Sequence, residues 1–186
     1  MRLRPMQAEK LERYFLYFVI YSLLGWCYEV FLEVAVYRWG FSNRGVLFGP
    51  YCPVYGIGAL AFLILIDPLI RGRPGMARLR MLPVVFLGCA LTATAIELAA
   101  SYLCEALTGF WPWQTYQDYA VHFQGRIALS PSIRFGLGGV LFLYAVQPLL
   151  ERLSGAMAAR VRTAVCRGCM LVMGADVLVF IIRILR

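Results

Sequence analysis

Charge is scarce in this chain. Aspartate, glutamate, lysine and arginine together make up 15% of its 186 residues, against about 25% in soluble domains. A water-soluble fold of this length would lack the polar surface it needs. Histidine occurs once, as His122. A lone histidine without partners makes a poor metal site, so it reads as a hydrogen-bonding loop residue and no metal is expected. There is no G-x-x-x-x-G-K-[ST], so the chain cannot supply ATP hydrolysis itself. A serine elbow and an H-E-x-x-H pair are also missing. These absences leave no enzyme signature and no cofactor to expect.

What the chain has in abundance is apolar length. Hydrophobic residues make up 61% of it and the mean hydropathy is +0.71, which is a membrane composition. The size fits a single membrane domain over 1–186 with no room for a separate soluble one. A net charge of +8 could suggest nucleic acid, but the positive residues are scattered between apolar runs rather than gathered on a polar face. They read as topology signals, with the bilayer as partner and no nucleic acid. Met1, Arg2 and Arg4 before an apolar run mimic a signal peptide. No small-residue cleavage site follows, and Glu29 and Glu33 interrupt, so the run is expected to be a retained first span.

The pattern predicts an all-α bundle of five transmembrane helices, at about 14–37, 51–70, 81–106, 133–150 and 165–186, after a short interfacial helix over 1–13. With the N-terminus inside, the cytoplasmic segments hold Arg2, Arg4, Lys10, Arg13, Arg71, Arg73, Arg78, Arg80, Arg152, Arg160, Arg162 and Arg167, twelve of the eighteen basic residues. The positive-inside rule then puts the N-terminus in the cytoplasm and the C-terminus outside. Loops 38–50 and 107–132 fall on the outer face together.

Ionisable residues interrupt two of the spans. Ser22, Gly25, Trp26, Glu29 and Glu33 share one helix face, and Thr94, Glu97, Ser101 and Glu105 share another. Asp176 sits nearer the middle of the last span and is a candidate for ion coupling. A charge at the bilayer centre costs roughly 2.5–3.5 kcal/mol on insertion scales, so such acids must face inward toward partners or water. The nearest candidates are Arg44 and Arg126, placed to meet Glu29 or Glu97. Ion pairs that only lock the helices together are the bland alternative.

The stretch Asn43–Gly56 packs Arg44, two prolines and several glycines between apolar runs. Broken backbone at membrane depth is tolerated where it is buried in protein or lines a wet cavity. Its Arg44-Gly-Val-Leu-Phe-Gly-Pro50 compares with Arg126-Ile-Ala-Leu-Ser-Pro131, as an internal repeat would. Loop 107–132 carries Phe110, Trp111, Trp113, Tyr116, Tyr119 and Phe123, an interfacial aromatic belt that can double as a lid over the acids. Cys166-Arg-Gly-Cys169 has redox or zinc spacing but no second pair, and reads as incidental. Cys52 and Cys104 fall where a disulfide is allowed.

Gly25-Trp26 with Glu29, then Asn43-Arg44-Gly45 leading to Gly49-Pro50-x-Cys52-Pro53-x-Tyr55-Gly56, resembles a family of small bacterial membrane proteins known as putative ABC-transporter type IV. Glu97, Trp113-x-x-Tyr116, Gly125-Arg126-Ile127 and Gly136 extend the resemblance, which covers roughly 14–150. The sequence departs from it at Thr115, His122 and Phe135, where the family pattern has an acid, an asparagine and a tryptophan. The resemblance implies a permease-like component of the bacterial inner membrane, working with a separate ATPase subunit or as a homo-oligomer. Its expected ligand-binding set is Glu29, Asn43, Arg44, Tyr55, Glu97, Trp113, Tyr116 and Arg126, in an outward-facing acidic and arginine-bearing site. The alternative is a membrane-embedded enzyme acting on a lipid or envelope precursor at the outer leaflet, with paired carboxylates as acid and base.

Overall fold

The computed structural model describes residues 5–185; Arg2, Arg4 and Arg186, used in the charge count above, lie outside the described residues. Helix α1 runs over Pro5–Phe31 and continues through a π-helical turn at Leu32–Val36. A separate interfacial helix before the first span is therefore not formed among the described residues. No proline or glycine falls between Met6 and Leu24, and Arg13 bonds Glu9 one turn back at 2.8 Å, so the helix runs straight through.

Helix α2 (Pro53–Leu65) opens on a proline, whose fixed φ suits a first helical position. A 3-10 turn at Asp67–Leu69, carrying Pro68, follows it. A short α3 (Gly75–Leu79) leads to α4 (Leu82–Thr108). The next segment holds a 3-10 turn at Gln114–Asp118 and a small antiparallel hairpin, β1 (His122–Phe123) with β2 (Ile127–Ala128), a departure from purely helical structure. Helix α5 (Leu129–Leu141) passes through a π turn at Phe142–Val146 into α6 (Gln147–Ala156), and α7 occupies Ala159–Ile184.

Among the described residues, four helices are long and apolar enough to cross a membrane: Met6–Val36, Leu82–Thr108, Leu129–Ala156 and Ala159–Ile184. The remaining expected span, at about 51–70, holds a shorter apolar helix, Pro53–Leu69. The thirteen α-helical residues of α2 rise only about 20 Å at ~1.5 Å per residue, against a hydrocarbon core of about 30 Å.

The chain forms two compact units, residues 1–57 with 150–186, and residues 58–149. In the first, Tyr17 of α1 bonds Ser154 of α6 at 3.0 Å, and Arg162 and Thr163 of α7 reach Glu12 of α1 at 3.0 and 2.7 Å. In the second, α4 and α5 approach closely because α5 presents glycines. A Cβ at Gly136 would lie 2.7 Å from the Phe86 ring, and one at Gly139 would run into Cys89. Thr94 donates to Ser132 at 2.7 Å across the same contact, the small-residue and hydroxyl packing expected of membrane helices.

Candidate functional site

In the first unit, Ser22, Trp26 and Glu29 of α1 and Glu33 of the π turn that continues it form one stripe, because their three- and four-residue spacing returns to the same side of the helix. Segment 42–55 lies along that stripe and bonds every member of it. The Cys52 N–H donates to the Ser22 carbonyl at 2.9 Å. The Trp26 indole donates to Asn43 Oδ1 at 2.7 Å, while the Asn43 amide donates to the Phe48 carbonyl at 2.9 Å and braces the loop. The Tyr55 hydroxyl donates to Glu29. Ser42 Oγ donates to Glu33 Oε1 at 2.7 Å, and Arg44 Nε lies 2.9 Å from Glu33 Oε2.

The arginine's partner differs from the sequence expectation. Arg44 meets Glu33, one turn beyond Glu29, because the chain leaves the π turn and doubles back at the end of α1 rather than halfway along it. Two backbone features shape this return. Gly45 has φ +98, in the left-handed region that favours glycine, and Gly25 gives the Tyr55 ring a place where a Cβ would collide. Both belong to the irregular stretch or its partner helix face.

Asp176 of α7 grips the same segment from its other end. Its carboxylate accepts the Phe48 N–H at 3.1 Å, the Gly49 N–H at 2.8 Å and the Tyr51 hydroxyl. Nothing in the sequence signalled this, since the partners lie more than a hundred residues apart.

The second unit holds a similar constellation on α4, where Glu97, Ser101 and Glu105 follow one another at four-residue steps. The Tyr116 hydroxyl donates to Glu97 at 2.8 Å. Arg126 donates to Glu105, and its Nη1 lies 3.4 Å from Ser101 Oγ. The Arg126 guanidinium stands 4.1 Å from the Tyr102 ring centroid and 4.2 Å from that of Trp111, so two aromatic faces meet a cation that has left water. Trp113 Nε1 donates to the Arg126 carbonyl at 2.8 Å. Gln124 and Gly125, at φ 52 and 64, form the turn that aims Arg126 inward, closed by its N–H on the Phe123 carbonyl at 2.9 Å. His122 Nδ1 accepts the Gly125 N–H at 3.1 Å and serves the same turn.

All eight expected ligand-set residues thus sit within one or the other constellation: Glu29, Asn43, Arg44 and Tyr55 in the first unit, Glu97, Trp113, Tyr116 and Arg126 in the second. In each, one helix acid takes a tyrosine hydroxyl and a later acid takes the loop arginine. The likeness is of parts, not of order. Tyr55 follows its arginine in sequence whereas Tyr116 precedes its own, and the paired acids are four residues apart in α1 but eight apart in α4.

A further polar cluster went unread in the sequence. Arg162 is buried, 3.0 Å from Glu12 and 3.4 Å from Glu9, although it had counted only as a topology charge. The i, i+3 spacing of Glu9 and Glu12 was its one available signal. All six cysteines are free, and among the described residues no group of three or more His, Cys, Asp or Glu side chains gathers as a metal site.

Apolar helices of spanning length, carrying carboxylates that meet loop arginines, define a helical membrane protein. The family model described as "Putative ABC-transporter type IV" matches residues 16–181, and the chain belongs to that family. No curated protein and no solved structure matches it.

Proposed function

We propose that the chain is a permease-like component of a membrane transport system, and that Glu29 with Tyr55 and Glu97 with Tyr116 handle its ligand or coupling ion. One observation carries the reading: in each compact unit, a carboxylate on an otherwise apolar helix receives a tyrosine hydroxyl. An acid in that setting costs roughly 2.5–3.5 kcal/mol on insertion scales and is functional by default. Phenol and carboxylate together can pass a proton or coordinate a cation as the helix environment changes. Arg44 and Arg126 hold the neighbouring acids Glu33 and Glu105, which supports the loops as walls of the site.

In this reading five helices cross the bacterial inner membrane, α2 being the short one, with the N-terminus inside and loops 38–50 and 107–132 outside. The family name and the absence of a nucleotide-binding motif support a separate ATPase as the energy source. The test is flux in proteoliposomes, followed with labelled alkali cations and an entrapped pH dye, with and without ATP and that ATPase. Glu29→Gln and Glu97→Gln are expected to lower flux at least about tenfold, one pK-scale step of lost interaction, while elution profile and melting midpoint stay as in the parent. Loss of folded protein in step with flux would assign both acids to packing. Covalent change in envelope lipids on deletion of the gene would favour an enzyme instead.

A further inference from the structure

Segment 48–51 presents three donors to one point: the adjacent backbone N–H groups of Phe48 and Gly49, and the Tyr51 hydroxyl. Converging amides and a hydroxyl are what a carboxylate receptor requires, because each carboxylate oxygen accepts through two lone pairs. The guest in this structure is the chain's own Asp176.

Its host helix is lightly held. In the most apolar window of α7 only 6% of residues are buried. Polar contacts secure it within its unit near both ends: Arg162 and Thr163 on Glu12 near its start, and Asp176 on segment 48–51, where the Arg183 guanidinium also stands 5.7 Å from the Phe48 ring centroid. Between them lie Gly168 and Gly174, and a Cβ added at either would meet nothing within 4 Å. Close packing against this chain does not account for these glycines, which cost a helix roughly 1 kcal/mol each against alanine. They leave the helix free to bend where glycines commonly let helices kink.

We propose that residues 48–51 form an exchangeable carboxylate-binding site, plugged here by Asp176, and that its emptying releases segment 42–52 as a lid over the Ser22, Trp26, Glu29 and Glu33 stripe. The ligand class is a carboxylate of a size that reaches the loop once α7 swings away. The role of this lid in transport rests on the function proposed above, whereas the lid itself is read by thiol chemistry whether or not any solute moves.

Cys52 reports on it. The residue is 4% exposed, its backbone N–H is bonded to the Ser22 carbonyl, and it lies at the end of the segment that Asp176 grips. Cys89, fully buried, and Cys166, 2% exposed, lie outside that segment and serve as references. The purified full chain is labelled with N-ethylmaleimide and each cysteine is read by mass spectrometry. In Asp176→Ala, Cys52 is expected to react about tenfold faster by local opening, with Cys89 and Cys166 unchanged. Sodium formate, filling the vacated position, is expected to restore protection, and sodium chloride at equal ionic strength is not. An unchanged Cys52 rate, a rise shared by all three thiols, or formate acting no better than chloride would each overturn the proposal. Should Asp176→Ala not fold, Tyr51→Phe removes one donor alone. Cys52 is then expected to react about threefold faster, and an unchanged rate overturns the proposal equally.

Discussion

Arg44 and Arg126 carry the same charge into very different surroundings. The Arg44 side chain is 30% exposed beside a buried Glu33, while Arg126 is 9% exposed with its guanidinium between two aromatic rings and Glu105 at its edge. Removing Arg126 deletes two cation–π contacts, worth about 0.5–2 kcal/mol each when desolvated, and strips Glu105 of its partner. Arg126→Ala is therefore expected to destabilise the protein by about 1–4 kcal/mol, seen as a lowered melting midpoint. Arg126→Lys should recover only part, since an ammonium keeps the charge but loses the flat face that stacks. That acids on apolar helices would find the loop arginines was legible from the spacing alone. Which acid each arginine meets was not. Glu29 and Glu33 share a face and lie about one 5.4 Å turn apart, so the path of the returning loop makes the choice.

At the scale of elements, the glycines of α5 and α7 make opposite demands. A Cβ at Gly136 meets the Phe86 ring at 2.7 Å and the Phe86 carbonyl at 3.0 Å. Backbone cannot yield as a side chain can. Gly136→Ala is expected to push α4 and α5 apart at a cost of about 1–3 kcal/mol, whereas Gly168→Ala, with open space around it, should be neutral or stabilising by up to about 1 kcal/mol. Thermal melts of the two variants in one detergent make the comparison. Hydropathy located the long apolar helices but missed the short α3 and misjudged several edges. The first helix reaches back to Pro5 and α2 falls short of a full span, because ends are set by proline, by loop hydrogen bonds and by polar partners such as Glu12 and Arg162 rather than by apolar content. The aromatic loop shows the same division. Its richness in tryptophan and tyrosine suggested a belt or a lid, and its fold puts Trp111, Trp113 and Tyr116 to specific work on Arg126 and Glu97.

For the whole molecule, the orientation argued from the arginines can be checked directly. Reporter fusions or introduced cysteines near Gly40 and near Gln117 are expected to label from outside the cell, and those near Gly75 and Ala158 only after permeabilisation. Accessibility of Gly75 from outside would reverse the orientation. The sequence by itself determined that this is a helical membrane protein of its family, which helices carry acids, and which face of each helix they occupy. Those properties follow from composition and from a 3.6-residue period, both of which are local. Tertiary structure alone decided that Asp176 closes on Phe48, Gly49 and Tyr51, that Arg162 is buried against Glu9 and Glu12, and that Arg126 lies between Tyr102 and Trp111. Those partners are distant in sequence and belong to turns whose direction rests on a few backbone angles, and no periodic pattern records where such a turn will point.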